Sequence, residues 1–197
     1  MSNSERFRVL KRELLRLKKQ FLPKTISPTG DYSDRKIALT VAYRVLAHAE
    51  IEAYLEDRVK EVALNAKTKW DSERKVNRTL LALVAFAKNP KTMSSQLLDE
   101  KISFSVSFFI HTISQNHGLK EANLLALLLP IGIDNSDLDS VMLATMNTFG
   151  DQRGLVAHSS QTFYKVTQPL NPSNELSRIE QITQQMMELD CLISNLM

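Results

Sequence analysis

The feature that most constrains the fold is a segment in which mostly apolar side chains recur at alternating spacings of four and three residues. This is the period of an α-helix, whose successive turns bring such positions to one face. Asp31, Ser33 or Asp34 can cap the start, so the spacing predicts a helix from about Asp34 to Lys67, long for a single domain. The positions on its stripe are Val41, Val45, His48, Glu52, Leu55, Val59 and Val62.

Composition extends this helical interpretation to the whole chain. Only five glycines and six prolines occur in 197 residues, and 43% of the residues are hydrophobic, enough for one compact core. We therefore predict an all-α fold in a single domain over residues 1–197.

The first 22 residues predict a basic amphipathic helix that forms the N-terminal part of the domain. Residues 1–20 contain seven Lys or Arg and two acidic residues, and the apolar positions fall on one stripe. The favoured interpretation is a helix docked on the core with its charges in solvent. An arm that binds phosphates, with Arg12 and Arg16 as RNA contacts, and a helix that lies on a membrane surface are the alternatives. The stripe is Phe7, Leu10, Leu14, Leu17 and Phe21.

The remaining segments predict five more helices. Residues 102–110 alternate as in a strand, but no second strand offers a partner, so we interpret them as helical. The acidic residues between Asp134 and Asp139 lack the spacing of a calcium loop and are interpreted as helix caps. The predicted helices are Asp71–Lys88, Gln96–Asn116, Leu119–Leu129, a helix that opens at Asp134–Asp139 and runs to Phe149–Gly150, and Glu175–Leu196.

Several classes of protein are disfavoured. Cys191 is the single cysteine, so no internal disulfide can form, and the charged start lacks the apolar core of a signal peptide, which predicts a cytoplasmic protein. The longest apolar run has about ten residues, too few to span a bilayer. The sequence contains no nucleotide-binding glycine motif and no ligand spacing typical of a metal site, so no cofactor and no metal are expected.

The chemistry of the chain centres on Arg153 and His158. Arginine can hold a phosphate through a two-pronged fork, and histidine can accept or donate a proton near neutral pH, so together they can cut RNA without a metal. On a straight helix, five residues correspond to about 500°, which places the two side chains roughly 140° apart. Either Gly150 and Gly154 loosen the turn, or two copies of the segment meet across a twofold axis.

His48 and Glu52 interrupt the apolar stripe of the long helix one turn apart. A buried His and Glu at this spacing can satisfy each other by a hydrogen bond, which makes a polar pair within the core one interpretation. The other interpretation is functional, with the carboxylate facing the Arg153 and His158 pair. Glu50 is a second candidate for this role.

The arginine, four intervening residues and histidine, late in an all-α chain, resemble the RNase motif of the HEPN superfamily. Three further stretches are similar to the branch called RiboL-PSP-HEPN: residues 47–52 (AHAEIE), residues 116–120 (NHGLK) and residues 169–172 (PLNP). The similarity runs from about Arg35 to the C-terminus. It implies a HEPN-like helical bundle with a long central helix and additional N-terminal and short helices.

The resemblance also implies a function. Members are expected to be dimeric, metal-independent endoribonucleases of toxin–antitoxin, phage-defence or RNA-processing systems, which makes RNA, a second copy and possible antitoxin or operon proteins the expected partners. The predicted catalytic residues are Arg153, His158 and Glu52, with Glu50 and His48 in support. Lys165 joins Arg12 and Arg16 as a candidate RNA contact.

One position departs from the family motif. A polar residue, often Asn, usually follows the arginine, whereas Gly154 stands there in this chain. Asp151, Gln152 and Ser159 are the candidates for the missing hydrogen bond. The alternative function is a catalytically inactive module that binds RNA or mediates dimerisation or regulation.

Overall fold

The computed structural model describes residues 3–87, 97–158 and 170–197, and for residues 155–158 it describes the backbone only. The regular structure in these ranges is entirely helical, which confirms the predicted all-α class. The helices are α1 (Glu5–Phe21), α2 (Asp34–Glu73), α3 (Arg78–Phe86), α4 (Leu98–Gln115), α5 (Glu121–Leu128), α6 (Ser140–His158) and α7 (Pro172–Ser194). Two short 3-10 turns, Leu129–Ile131 and Asn135–Asp137, join α5 to α6.

Helix α2 is the centre of the bundle. It contacts each of the other six α-helices in the described part of the chain. Its buried side chains accordingly lie on several faces and include Tyr43, Ile51, Tyr54 and Val59, each at most 1% exposed. A helix surrounded in this way can carry polar groups into the interior on more than one side.

Helix α1 docks on this core, as the favoured interpretation of the basic segment predicts. Phe7, Leu10, Leu14 and Leu17 are buried, while Arg12 and Arg16 remain exposed. Ser4 caps the helix, because its Oγ accepts a hydrogen bond from the Phe7 N–H at 3.1 Å. No helix in the described ranges is long and apolar enough to cross a membrane.

The predicted boundary between the second and third helices is wrong. Asp71 and Ser72 are not caps but lie inside the last turns of α2, where the Ser72 hydroxyl donates to the Thr68 carbonyl at 2.8 Å. Trp70 holds this extension by packing with Leu80 and Ile102 in a small second core. Helix α3 starts seven residues later than predicted, and its cap is Asn77, whose Oδ1 accepts from the Leu80 N–H at 2.8 Å.

The predicted end of the sixth helix at Phe149–Gly150 is also wrong, because α6 continues to His158. The reason is the packing at Gly150. A Cβ atom there would lie 2.9 Å from Lys120 Cγ and 3.2 Å from the Lys120 backbone N, so the glycine allows α6 to approach the 116–120 loop. At this position glycine serves a close contact and does not break the helix.

The other helices agree with the predicted segments within a few residues, including α4 over the alternating stretch 102–110. The acidic residues after Asp134 act as caps. Asp137 Oδ2 accepts from the Asp134 N–H at 3.0 Å, and Asp139 Oδ1 accepts from the Val141 N–H at 2.9 Å, at the start of α6. The last helix begins at Pro172, three residues before the predicted start, with Asn171 as its cap.

Candidate active site

Arg153 lies on the exposed side of α6, one turn after the close contact at Gly150. Its positive charge is near enough to Glu52 of α2 to contribute to that carboxylate's lowered pKa. His158 is the last residue of the same helix. Because α6 is one helix from Ser140 to His158, Gly150 and Gly154 do not loosen the turn, and Arg153 and His158 lie about 140° apart around its axis.

Glu52 is the most connected carboxylate at this place. Its Oε2 lies 3.4 Å from His48 Nδ1, and its Oε1 accepts a hydrogen bond from the backbone N–H of Gly118. The close contact with His48 Nδ1 is the largest cause that lowers the pKa of Glu52, with the Gly118 N–H and the charges of His48 and Arg153 acting in the same direction against partial burial. Glu52 is therefore held as an anion, and the charge of Arg153 is one of the groups that stabilise that form.

His48 stands behind Glu52 in the core and is 1% exposed. Its ring packs against Phe149 of α6 at a centroid distance of 5.3 Å. The predicted His48–Glu52 polar pair is thus present. Among the described residues, His48 Nε2 has no hydrogen-bond partner, which leaves one buried polar atom unsatisfied beside the site.

The remaining candidates next to Arg153 have other partners. Asp151 forms an ion pair with Lys120 at 2.5 Å. Gln152 Oε1 accepts a hydrogen bond from Arg178, which also donates to Glu175 at 3.0 Å. These contacts tie α6 to the 116–120 loop and to α7, so both side chains hold the helix in place.

Arg44 extends the contacts of Gln152 into the core. Its Nε donates to Glu175 Oε2 at 2.8 Å, and both residues are at most 3% exposed. The turn of α6 that carries Arg153 is therefore linked through Arg178 and Glu175 to the central helix α2. A buried network of this kind fixes the position of an exposed side chain beyond it.

Other predicted residues are not brought to the site. Glu50 lies two residues from Glu52, which corresponds to about 200° around α2, so it occupies a different face. Arg12 and Arg16 lie on α1 and both pair with Glu13, at 3.9 Å and 2.6 Å. Ser159 and Lys165 lie outside the described residues, as does the His158 side chain.

Two residues that the sequence-based analysis did not select also lie at the site. Glu56, one turn after Glu52, and His117 place ligand atoms within 4.8 Å of one another and of Glu52. Partial burial and the charge of Glu52 raise the pKa of Glu56, with the charge of His117 opposing them. The four-residue spacing of the two glutamates was a signal for a shared face, but only the fold reveals that His117 joins them.

These three residues can in principle bind a divalent cation, although the sequence shows no ligand spacing typical of a metal site. Glu52 is a poor ligand, however. One of its oxygens is engaged by the Gly118 N–H and the other lies beside His48, and Arg153 places a positive charge nearby. The same arrangement is well suited to orient an arginine or a histidine.

Comparison with known proteins gives one result. No curated protein and no solved structure matches this chain. The family model described as RiboL-PSP-HEPN matches residues 5–195, which is nearly the whole chain and includes α1 as well as the site. With an all-helical bundle built around one long helix, the chain belongs to the RiboL-PSP-HEPN family.

Proposed function

We propose that the protein is a metal-independent endoribonuclease of the HEPN type. The observation that carries this proposal is the position of Arg153, exposed on α6 and electrostatically coupled to the fixed carboxylate of Glu52, in a chain of a family whose domains are often RNases. A cation held by the protein and accessible to solvent can bind one RNA phosphate and stabilise the charge that develops on it during cleavage.

The proposed reaction uses the ribose 2′-hydroxyl as the nucleophile. His158 accepts its proton, the 2′-oxygen attacks the adjacent phosphorus, the bond from phosphorus to the 5′-oxygen breaks, and the leaving 5′-oxygen takes a proton from a general acid. The products are a 2′,3′-cyclic phosphate and a 5′-hydroxyl. Arg153 stabilises the phosphorane, and Glu52 orients Arg153. DNA lacks the nucleophile and is not cut.

A single α6 cannot direct Arg153 and His158 at one phosphate, because they lie about 140° apart. We therefore propose a twofold dimer in which the two α6 segments meet and His158 of one copy serves the phosphate held by Arg153 of the other. A toxin, phage-defence or RNA-processing role, with an antitoxin or operon protein as regulator, fits such an enzyme.

The second candidate is an inactive module that binds RNA or mediates dimerisation. Gly154 favours it, because a Cβ at this position would meet no atom of the described residues within 4 Å, so their packing does not require glycine. The motif has lost its usual polar residue where there is space for one. Asp151 and Gln152 have other partners and are poor substitutes.

A cleavage assay separates the two candidates. Purified protein is incubated with end-labelled single-stranded RNA in excess EDTA, with DNA of the same sequence as the control. We expect RNA fragments that end in 2′,3′-cyclic phosphate and no cut DNA. Binding of RNA without cleavage would favour the inactive module, and activity that disappears with EDTA and returns with Mg²⁺ or Mn²⁺ would refute the metal-independent mechanism.

A further inference from the structure

His117 has no role in the reaction described above, although it is one of four histidines in the chain. It follows α4 in the 116–120 loop and is exposed. An imidazole nitrogen lies within 4.8 Å of carboxylate oxygens of both Glu52 and Glu56. A histidine at this distance from the proposed site carboxylate is close enough to act on the same substrate.

The backbone around His117 is fixed on both sides. The next residue, Gly118, donates its N–H to Glu52. Asn123 Nδ2 donates to the His117 carbonyl at 3.2 Å and to Asn116 Oδ1 at 3.0 Å. The loop therefore holds the backbone of His117 at a defined place and leaves its side chain open to solvent, which is what a group that contacts RNA needs.

The same loop is the surface against which α6 packs. Gly150 allows the close approach to Lys120, and the Lys120–Asp151 ion pair fixes it two residues before Arg153. Glu52 lies between these elements, with the loop bound to its Oε1 and the Arg153 charge acting on it from α6. His117 thus lies near Glu52 on the 116–120 loop, and the charge of Arg153 acts on the same carboxylate from α6.

We propose that His117 is the general acid of the reaction and donates a proton to the leaving 5′-oxygen. This inference rests on the proposed ribonuclease activity. The 2′-hydroxyl proton goes to His158, the bond from the 2′-oxygen to phosphorus forms, the bond from phosphorus to the 5′-oxygen breaks, and the 5′-oxygen takes its proton from His117. Each phosphate then needs Arg153 and His117 from one chain and one His158.

If His117 is the acid, the reaction at one phosphate needs only one His158. In a twofold site without His117, both His158 residues must reach one phosphate, one as base and one as acid. With His117 as acid, the base is a single His158 from the second copy. Each half of the dimer can then hold its own phosphate, so a dimer has two complete sites.

A substrate with a modified leaving group tests the role directly. The probe is an RNA oligonucleotide in which sulfur replaces the bridging 5′-oxygen at one linkage, because a thiolate leaves without being protonated. Wild-type, His117→Ala and His158→Ala proteins are compared on this probe and on the all-oxygen RNA. His111→Ala is the matched control, since His111 is exposed on α4 six residues earlier.

On all-oxygen RNA, His117→Ala should be slower by about 10²- to 10⁴-fold, as is usual for loss of a positioned acid or base. On the sulfur probe it should cut within about threefold of the wild-type rate, while His158→Ala stays slow on both substrates. His111→Ala should match the wild type throughout. Thermal melting of each variant verifies that it is folded.

Two results for His117→Ala overturn the inference and leave the proposed ribonuclease standing: an equal loss of rate on both substrates, and no loss on either. A third result, wild-type activity that needs a divalent cation that His117→Ala no longer binds, makes His117 a metal ligand and overturns both the inference and the metal-independent mechanism. A wild-type protein that cuts neither substrate overturns the ribonuclease proposal and this one with it.

Discussion

Helix α2 carries two polar clusters on roughly opposite faces, and they differ in how completely they are buried. The Asp190 cluster consists of Ser4, Tyr54, Arg58 and Asp190. Asp190 is fully buried and accepts hydrogen bonds from the Ser4 N–H and hydroxyl, the Tyr54 hydroxyl and Arg58 Nε, at 2.6 to 3.1 Å. Each contact joins helices that are distant in sequence, so this cluster ties α1, α2 and α7 together.

The Glu52 cluster consists of His48, Glu52, Glu56 and His117. It is open to solvent at His117 and leaves His48 Nε2 unsatisfied among the described residues. Partial burial and then the charge of Glu52 raise the pKa of Glu56. Polar groups that only stabilise a fold are normally buried and satisfied, whereas perturbed and accessible groups are typical of sites that do chemistry. The difference predicts that mutations in the Asp190 cluster reduce stability with little effect on activity, whereas mutations at the Glu52 cluster, or at Arg153 beside it, affect a site that does chemistry.

The largest effect on stability is expected for Asp190→Ala. It removes the carboxylate from the buried Arg58 and leaves the Tyr54 hydroxyl and the Ser4 N–H without their acceptor. Breaking a buried ion pair on one side costs about 3–5 kcal/mol. Urea unfolding followed by circular dichroism should show this loss, while RNA cleavage per folded molecule stays near the wild-type value. A loss below about 1 kcal/mol would contradict the structural role.

For Arg153→Ala we expect a loss of activity with little change in stability. RNA cleavage should fall by about 10²- to 10⁴-fold, because a contact that stabilises the phosphorane is lost. The free energy of unfolding should change by no more than about 0.5 kcal/mol, since the side chain is exposed. Arg74→Ala, at the far end of α2, is the control and should keep full activity. An Arg153→Ala protein that is folded and fully active would refute the site.

Sequence reasoning predicted local features well and contacts between distant segments poorly. The stripe of α1 rests on periodicity, and the helical interpretation of residues 102–110 rests on the lack of a partner for a strand there; both are confirmed. Asp71, Ser72 and Gly150 were misinterpreted for a common reason. Cap residues and glycines mark helix ends only when tertiary contacts do not compete, and here Trp70 and the 116–120 loop supply such contacts.

The residues of the site also fall into those that local spacing predicted and those that only tertiary packing brings together. The spacing of His48 and Glu52 predicted their pairing on one face of a helix. Nothing local to His117 indicated that it would lie near them, because α4 and the 116–120 loop are placed by packing against α2 and α6. Residues that meet only through tertiary structure have no periodic signal in a single sequence.

For Glu52→Gln we expect a moderate loss of stability that depends on pH. His48, the Gly118 N–H and Arg153 keep the pKa of Glu52 below its usual value of 4.5, so the ionised form stabilises the folded state. This contribution is present above the unfolded pKa and is lost as the pH falls through the lower folded pKa. At pH 7 the variant should be less stable by about 1–2 kcal/mol.

The difference between wild type and Glu52→Gln should therefore shrink between pH 5 and about pH 3 in urea unfolding. Glu50→Gln, on another face of α2, is the control and should differ little from the wild type at either pH. A Glu52→Gln penalty that is the same at both pH values would show that Glu52 is not held as an anion by these contacts.

The smallest effect is expected at α1, where RNA binding by the basic helix can be tested. Arg12 and Arg16 are 69% and 59% exposed, but both pair with Glu13, which competes with any phosphate. If they contact RNA, Arg12→Ala/Arg16→Ala should weaken binding of uncleavable 2′-O-methyl RNA by a few fold. The slope of log K against log salt should fall by about 1.4, since each contact to a single strand contributes about 0.7. Glu13→Gln should strengthen binding because it frees both arginines. If all three substitutions leave affinity and slope unchanged, the charges of α1 only keep a docked helix soluble, and RNA binding belongs to the α6 side of the molecule alone.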